Sequence, residues 1–171
     1  MKPKRFLIVL VILLMLFLFG CTGTTIKYNV SFSGSTLFGY QEDETGGINH
    51  CAQTIIRSRE ELTELCEQWN NPAFKEETAS DELCQTIRSY DETFFEQNAL
   101  IVYSSWQWNK ALDPKVKKIT VKESQLTVHI GLKKLNVNYD VAEIFTFLIE
   151  VKKDSVENVS KIITKEEYGA V

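Results

Sequence analysis

Ala99-Leu100-Ile101-Val102-Tyr103 is the most continuous apolar run of the chain beyond its first 20 residues. Five apolar side chains in succession leave no polar face for water, so the segment reads as the central strand of a sheet. The stretches on either side follow different periods. Upstream, Leu62, Leu65, Cys66 and Trp69 recur at helical spacing after Ser58 and Glu61, which have the separation of a capping box. Ser80 to Arg88 repeats the pattern, with Leu83, Cys84 and Ile87 on one face, acidic residues first and Arg88 last. Asp91 to Gln97 adds a further turn that points Phe94 and Phe95 inward.

Downstream the period is two. Ile119 and Val121 lead to a turn at Glu123-Ser124-Gln125, and Leu126, Val128, Ile130 and Leu132 return in clean alternation. Val141 to Val151 and Val159 to Thr164 are further strands, and Ile26 to Phe32 and His50 to Arg57 precede the helices. Strands, then helices, then hairpin-connected strands predict an α+β fold. Its largely antiparallel sheet has about six to eight strands, with two to three short helices packed on it.

The full chain has 171 residues and a formal net charge of -4. Residues 1 to 20 carry Lys2, Lys4 and Arg5 and no acid, so the remainder is more acidic still, at -7. That balance argues against nucleic acid, which needs a basic face, and against adsorption to anionic lipid by net charge. Phe6 to Phe19 is an unbroken run of 14 apolar residues. A helix of that length rises about 21 Å, short of the roughly 30 Å hydrocarbon core, so it has the form of a secretory signal.

The run ends in Leu18-Phe19-Gly20-Cys21, which resembles the lipobox of bacterial lipoproteins. The resemblance implies cleavage before Cys21 and transfer of a diacylglycerol to its thiol, with acyl chains such as palmitate holding the chain in a membrane. Phe19 is bulkier than the residue usual there. The expected organisation is a signal peptide at 1–20, a tether at 21–25 and one domain at 26–171. The expected location is the extracytoplasmic side of a cell membrane.

With Cys21 as anchor, three cysteines remain. Cys66 and Cys84 lie on the apolar faces of consecutive predicted helices. A disulfide between them would close a loop of about 18 residues, for which chain entropy gives ~3 kcal/mol; the alternative is three buried thiols. Cys51 follows His50, but neighbours on a strand point to opposite faces, which argues against a nucleophile pair. His129 falls on the polar face of its strand and reads as a surface side chain. The two histidines form no helical ligand pair and no Cys-x-x-Cys occurs, so no metal or other cofactor is expected. Trp106 and Trp108 alternate with Ser105 and Gln107 beyond the central strand, so both rings face one side. They read as continued core, or as aromatic anchors for a partner.

Three segments together resemble the PrcB-like domain of bacterial lipoproteins and envelope proteins, named from a subunit of a surface protease complex. They are Thr54-Ile55-Ile56-Arg57-Ser58 leading into Glu60-Glu61-Leu62, the run Asp91 to Val102, and the strand-rich tail through Ile163. The resemblance spans about residues 50 to 165 and implies assembly or accessory function rather than proteolysis. Where that family often has a glycine-rich turn after the central strand, this chain has Trp106 and Trp108. The expected function is a lipid-anchored extracytoplasmic binding or accessory module without catalytic activity, serving an envelope protein partner. The alternatives are an envelope hydrolase using Cys51 or the acidic loop from Glu42, or a protease inhibitor.

Overall fold

The computed structural model describes residues 23–36, 40–42, 44, 48–68, 82–107, 112–134 and 143–168. The apolar run is the middle of β6 (Asn98–Gln107), and Leu100, Ile101 and Val102 are wholly buried. It pairs on one side with β9 (Glu143–Lys152) and on the other with β5 (Gln53–Ile56). β2 (Tyr28–Ser35) joins the far edge of β9, giving the antiparallel order β2-β9-β6-β5.

Successive residues of β6 serve two different cores. Leu100 and Val102 pack with α1 (Arg59–Gln68), α2 (Glu82–Ser89) and α3 (Glu92–Gln97) through Leu62, Leu65, Leu83, Ile87 and Phe95. Ala99, Ile101 and Tyr103 pack against the second sheet. A strand that fills two cores has no polar face to show, which is why its sequence does not alternate.

The second sheet has the order β1-β7-β8-β10, with β1 at Thr24–Ile26 and β10 at Lys161–Tyr168. β7 (Leu112–Lys122) and β8 (Gln125–Lys134) form the expected hairpin, and its turn residue Glu123 takes φ 54°. Leu126, Val128, Ile130 and Leu132 of β8 face the β6 sheet. The molecule is therefore three layers deep: helices, β6 sheet, β8 sheet.

The α+β class with a largely antiparallel sheet holds, with four differences from the expected organisation. The strands divide into two stacked four-stranded sheets, because β6 and β9 are apolar on both faces and need a cover on each. β10 (Lys161–Tyr168) runs parallel to β8, reached through the short 3-10 turn Lys153–Val156. Thr24 and Thr25, assigned to the tether, belong to β1 (Thr24–Ile26) and pair with Val121 and Thr120. A three-residue strand whose partner lies almost a hundred residues away leaves no periodic signal. A separate hairpin of β3 (Tyr40–Glu42) and β4 (Ile48–Cys51) replaces part of the stretch read as an exposed loop.

Candidate functional site

Four strands end the two stacked sheets, and an unpaired strand edge is a template for another chain. β1 is three residues long. β2 carries a bulge between Val30 and Phe32, which breaks its register. β10 is studded with Lys161, Lys165, Glu166 and Glu167. Each of these is a recognised way of blunting an edge. β5 is four residues long and its Gln53 Oε1 accepts from Thr164 Oγ1 of β10 at 3.5 Å, but it carries neither a bulge nor a row of charged side chains, and a groove of about 490 Å³ runs along it.

The strand and helix that border the groove are joined by a two-residue turn. Ser58 Oγ accepts from the Glu61 N–H at 3.1 Å, which starts α1 as its spacing predicts. The Glu61 carboxylate reaches back to the Arg57 N–H at 2.6 Å rather than to that of Ser58. The Arg57 guanidinium donates to the carbonyls of Val156 and Val159 at 3.0 and 2.8 Å, tying the turn to the 3-10 segment. Arg59 donates to the Ile87 and Tyr90 carbonyls, closing the C-terminal end of α2. α1 is thus held beside β5 by fixed bonds at its first turn.

Which backbone groups of β5 face the groove follows from the ladder. Ser104 N–H donates to the Ala52 carbonyl at 2.7 Å, and Gln53 stands opposite Tyr103. Antiparallel pairs alternate, so Thr54 and Ile56 turn their N–H and C=O groups toward β6. Gln53 and Ile55 turn theirs outward, and among the described residues no partner meets them. The first helical wall offers Leu65 as an apolar contact and the carboxylates of Glu61 and Glu64, with Gln68 at the far end. The groove thus combines unmet main-chain donors and acceptors, one apolar contact and a negative wall. Those are the elements by which an extended peptide adds a strand to a sheet.

Cys51 closes one end of the groove. Its thiol accepts from the Trp106 backbone N–H, and burial nonetheless pushes it above its ordinary pKa. A raised thiol has less thiolate at neutral pH, which makes it a poorer nucleophile. Trp106 is half-buried at the end of β6 and belongs to neither core cluster. It shares the helix-side face of β6 with Leu100, Val102 and Ser104, next to Cys51. Trp108 and Cys21 lie outside the described residues.

The disulfide expected between Cys66 and Cys84 is not present in the structure. Both side chains are buried in the helix–sheet core, where a cysteine packs as a small apolar residue. His129, expected at the surface, is only 9% exposed. Its Nε2 meets Thr120 Oγ1 at 3.2 Å, and its Nδ1 stands 3.7 Å from Glu167 Oε1. It is covered because neighbouring strands flank β8 on both sides. Among the described residues no group of three His, Cys, Asp or Glu side chains is placed to hold a metal ion.

The strand holding Gln53 and Ile55 was legible, but that it borders an open groove beside Glu64 was not, since an open edge is a property of pairing rather than of composition. Comparison with known protein families, with curated proteins and with solved structures finds no match.

Proposed function

We propose that this chain is a lipid-anchored, extracytoplasmic binding module whose β5 edge takes an extended segment of an envelope protein by strand addition. The observation that carries the reading is the groove itself: outward N–H and C=O groups of Gln53 and Ile55 beside Leu65, Glu61 and Glu64. Main-chain bonds supply affinity in such additions, and side-chain pockets supply selectivity. The exposed Glu64 carboxylate favours a lysine or arginine in the added segment. The apolar run and Cys21 support the anchor, and the PrcB-like pattern supports an accessory role in an assembly.

The test uses the full chain purified from detergent-solubilised membranes. Gln53→Pro deletes one outward N–H and leaves the bonds to β6 intact, since proline is tolerated at an edge on the solvent side. Gln53→Ala keeps the N–H and serves as control. A partner recovered with wild type and Gln53→Ala, and reduced at least tenfold with Gln53→Pro, is the expected result. Equal recovery with Gln53→Pro would remove strand addition as the mode of binding.

A further inference from the structure

The β8 sheet has one face against the core and one face turned away, and charge is distributed unevenly on the second. In β7, Val116, Ile119 and Val121 point inward. The register then sends Lys115, Lys118 and Lys122 to the other face, and the bulge residue Lys117 lies across Gly131 of β8, on the same face. Lys133 joins them from β8 and Lys165, opposite His129, from β10. All six lysines are exposed. Among the described strand residues two carboxylates share the face: Asp113, 3.1 Å from Lys115, and Glu167 beside His129. The helix layer at the opposite side of the molecule has the reverse balance, with Glu60, Glu64 and Glu67 exposed on α1 and Asp91, Glu92 and Glu96 at α3. Among the described residues, charge in this acidic chain is thus divided between two opposite faces.

The start of the described chain coincides with the basic side. Thr24 pairs with Val121, and Gly23 lies against the Val121 carbonyl and Lys122. Two residues, Thr22 and Gly23, separate Cys21 from Thr24, and three Cα steps reach at most about 10 Å. That is close to one Debye length at physiological salt, roughly 8 Å. A surface within this distance acts on the lysines before salt screens it.

We propose that this lysine face of the β8 sheet docks on anionic phospholipid headgroups, laying the domain flat on its own membrane with the helix layer and the β5 groove turned to the side and outward. The occupant follows from charge complementarity and from the short reach to Cys21. Placement near the surface rests on the lipid anchor proposed above; attraction of the face to anionic lipid rests on its charge alone. Net charge argued against adsorption, but local potential at a face is set by the groups on that face.

The experiment is lysine footprinting by acetylation and mass spectrometry on the full chain reconstituted into vesicles. One set of vesicles is phosphatidylcholine alone; the other contains about a third phosphatidylglycerol, enough to give a negative surface potential. Labelling of Lys117 and Lys118 should slow at least fivefold on the anionic vesicles. It should recover when salt is raised to about 0.5 M, where the screening length falls to a few ångströms. Lys152, exposed on the β6 sheet, serves as internal reference and should not change. K117E/K118E should remain on both vesicle types, with circular dichroism like wild type, yet lose the protection of Lys115 and Lys165. Equal labelling of Lys117 and Lys118 on the two vesicle types would overturn the proposal. So would equal protection by soluble polyphosphate without vesicles, which would point to a polyanion rather than a bilayer. Failure of the chain to stay on neutral vesicles, with protection on anionic ones intact, would count against the anchor and leave the face standing.

Discussion

Tyr90 joins three parts of the molecule through one hydroxyl. It donates to Glu150 Oε1 at 3.2 Å and lies against Ser31 Oγ, while its ring packs on Phe94 at 4.6 Å between centroids. Burial raises its pKa above the ordinary 10.0, the nearby Glu150 charge adding to the effect and the Ser31 bond opposing it. Tyr103 is raised for the same main reason. A raised value means the folded chain keeps these protons after the unfolded chain has lost them. Their contribution is therefore complete below pH 10 and is lost as pH rises beyond it. Urea unfolding at a series of pH values should show stability falling above pH 10, with a shallower fall in Tyr90→Phe. At neutral pH that variant should lose about 1 kcal/mol, the net worth of an ordinary hydrogen bond. An unchanged alkaline slope would mean Tyr90 is not the group responsible. At this scale the sequence was informative where neighbours in the chain are neighbours in space. The turn read at Asp91 to Gln97 is α3, with Phe95 buried and Phe94 half-buried, and Asp91 caps it by accepting from the Phe94 N–H at 2.9 Å. His129 was misread because its cover comes from Thr120 and Glu167 on other strands.

Single elements are decided by period, and their edges by pairing. The helices at Arg59–Gln68 and Glu82–Ser89 and the β7–β8 hairpin were legible because each has one apolar face. The short β1, the β3–β4 hairpin and the open edge of β5 were not, because each depends on a distant partner or on having none. The ladder assignment of β5 makes a pair of opposite predictions. Gln53→Pro should change unfolding free energy by less than about 1 kcal/mol, since its N–H points away from β6. Thr54→Pro removes a bond to β6 from the next residue and should cost about 3 kcal/mol or more. Thermal unfolding of the two variants measures this, and equal losses would show the register to be shifted by one. In α3, Asp91→Ala should cost about 1 kcal/mol, because the first turn loses the acceptor for its Phe94 N–H; a loss below a few tenths would mean solvent replaces the cap.

The described residues form a stack in which the middle sheet carries the packing and the two outer layers carry opposite charge. The lysine-rich sheet begins three residues after Cys21, and the acidic helix layer borders the β5 groove. This polarity was invisible in the net charge of -4, since helix acids and strand lysines cancel in the total. The reading of the first 20 residues as a leader rests on something else: an apolar run of 14 residues, Phe6 to Phe19, followed by Gly20 and Cys21, has a length and an order that do not depend on the fold. Cys21→Ser should move the protein from the membrane to the soluble fraction on ultracentrifugation; full retention would show that something other than lipidation holds it. Amide hydrogen exchange tests strand addition in the groove at the atoms involved. Gln53 and Ile55 amides should exchange rapidly in the full chain alone and slow at least tenfold when the captured partner is bound, while Thr54 and Ile56, bonded to β6, change little. Slowing confined to other regions, with Gln53 and Ile55 still exchanging freely in the complex, would contradict strand addition at β5.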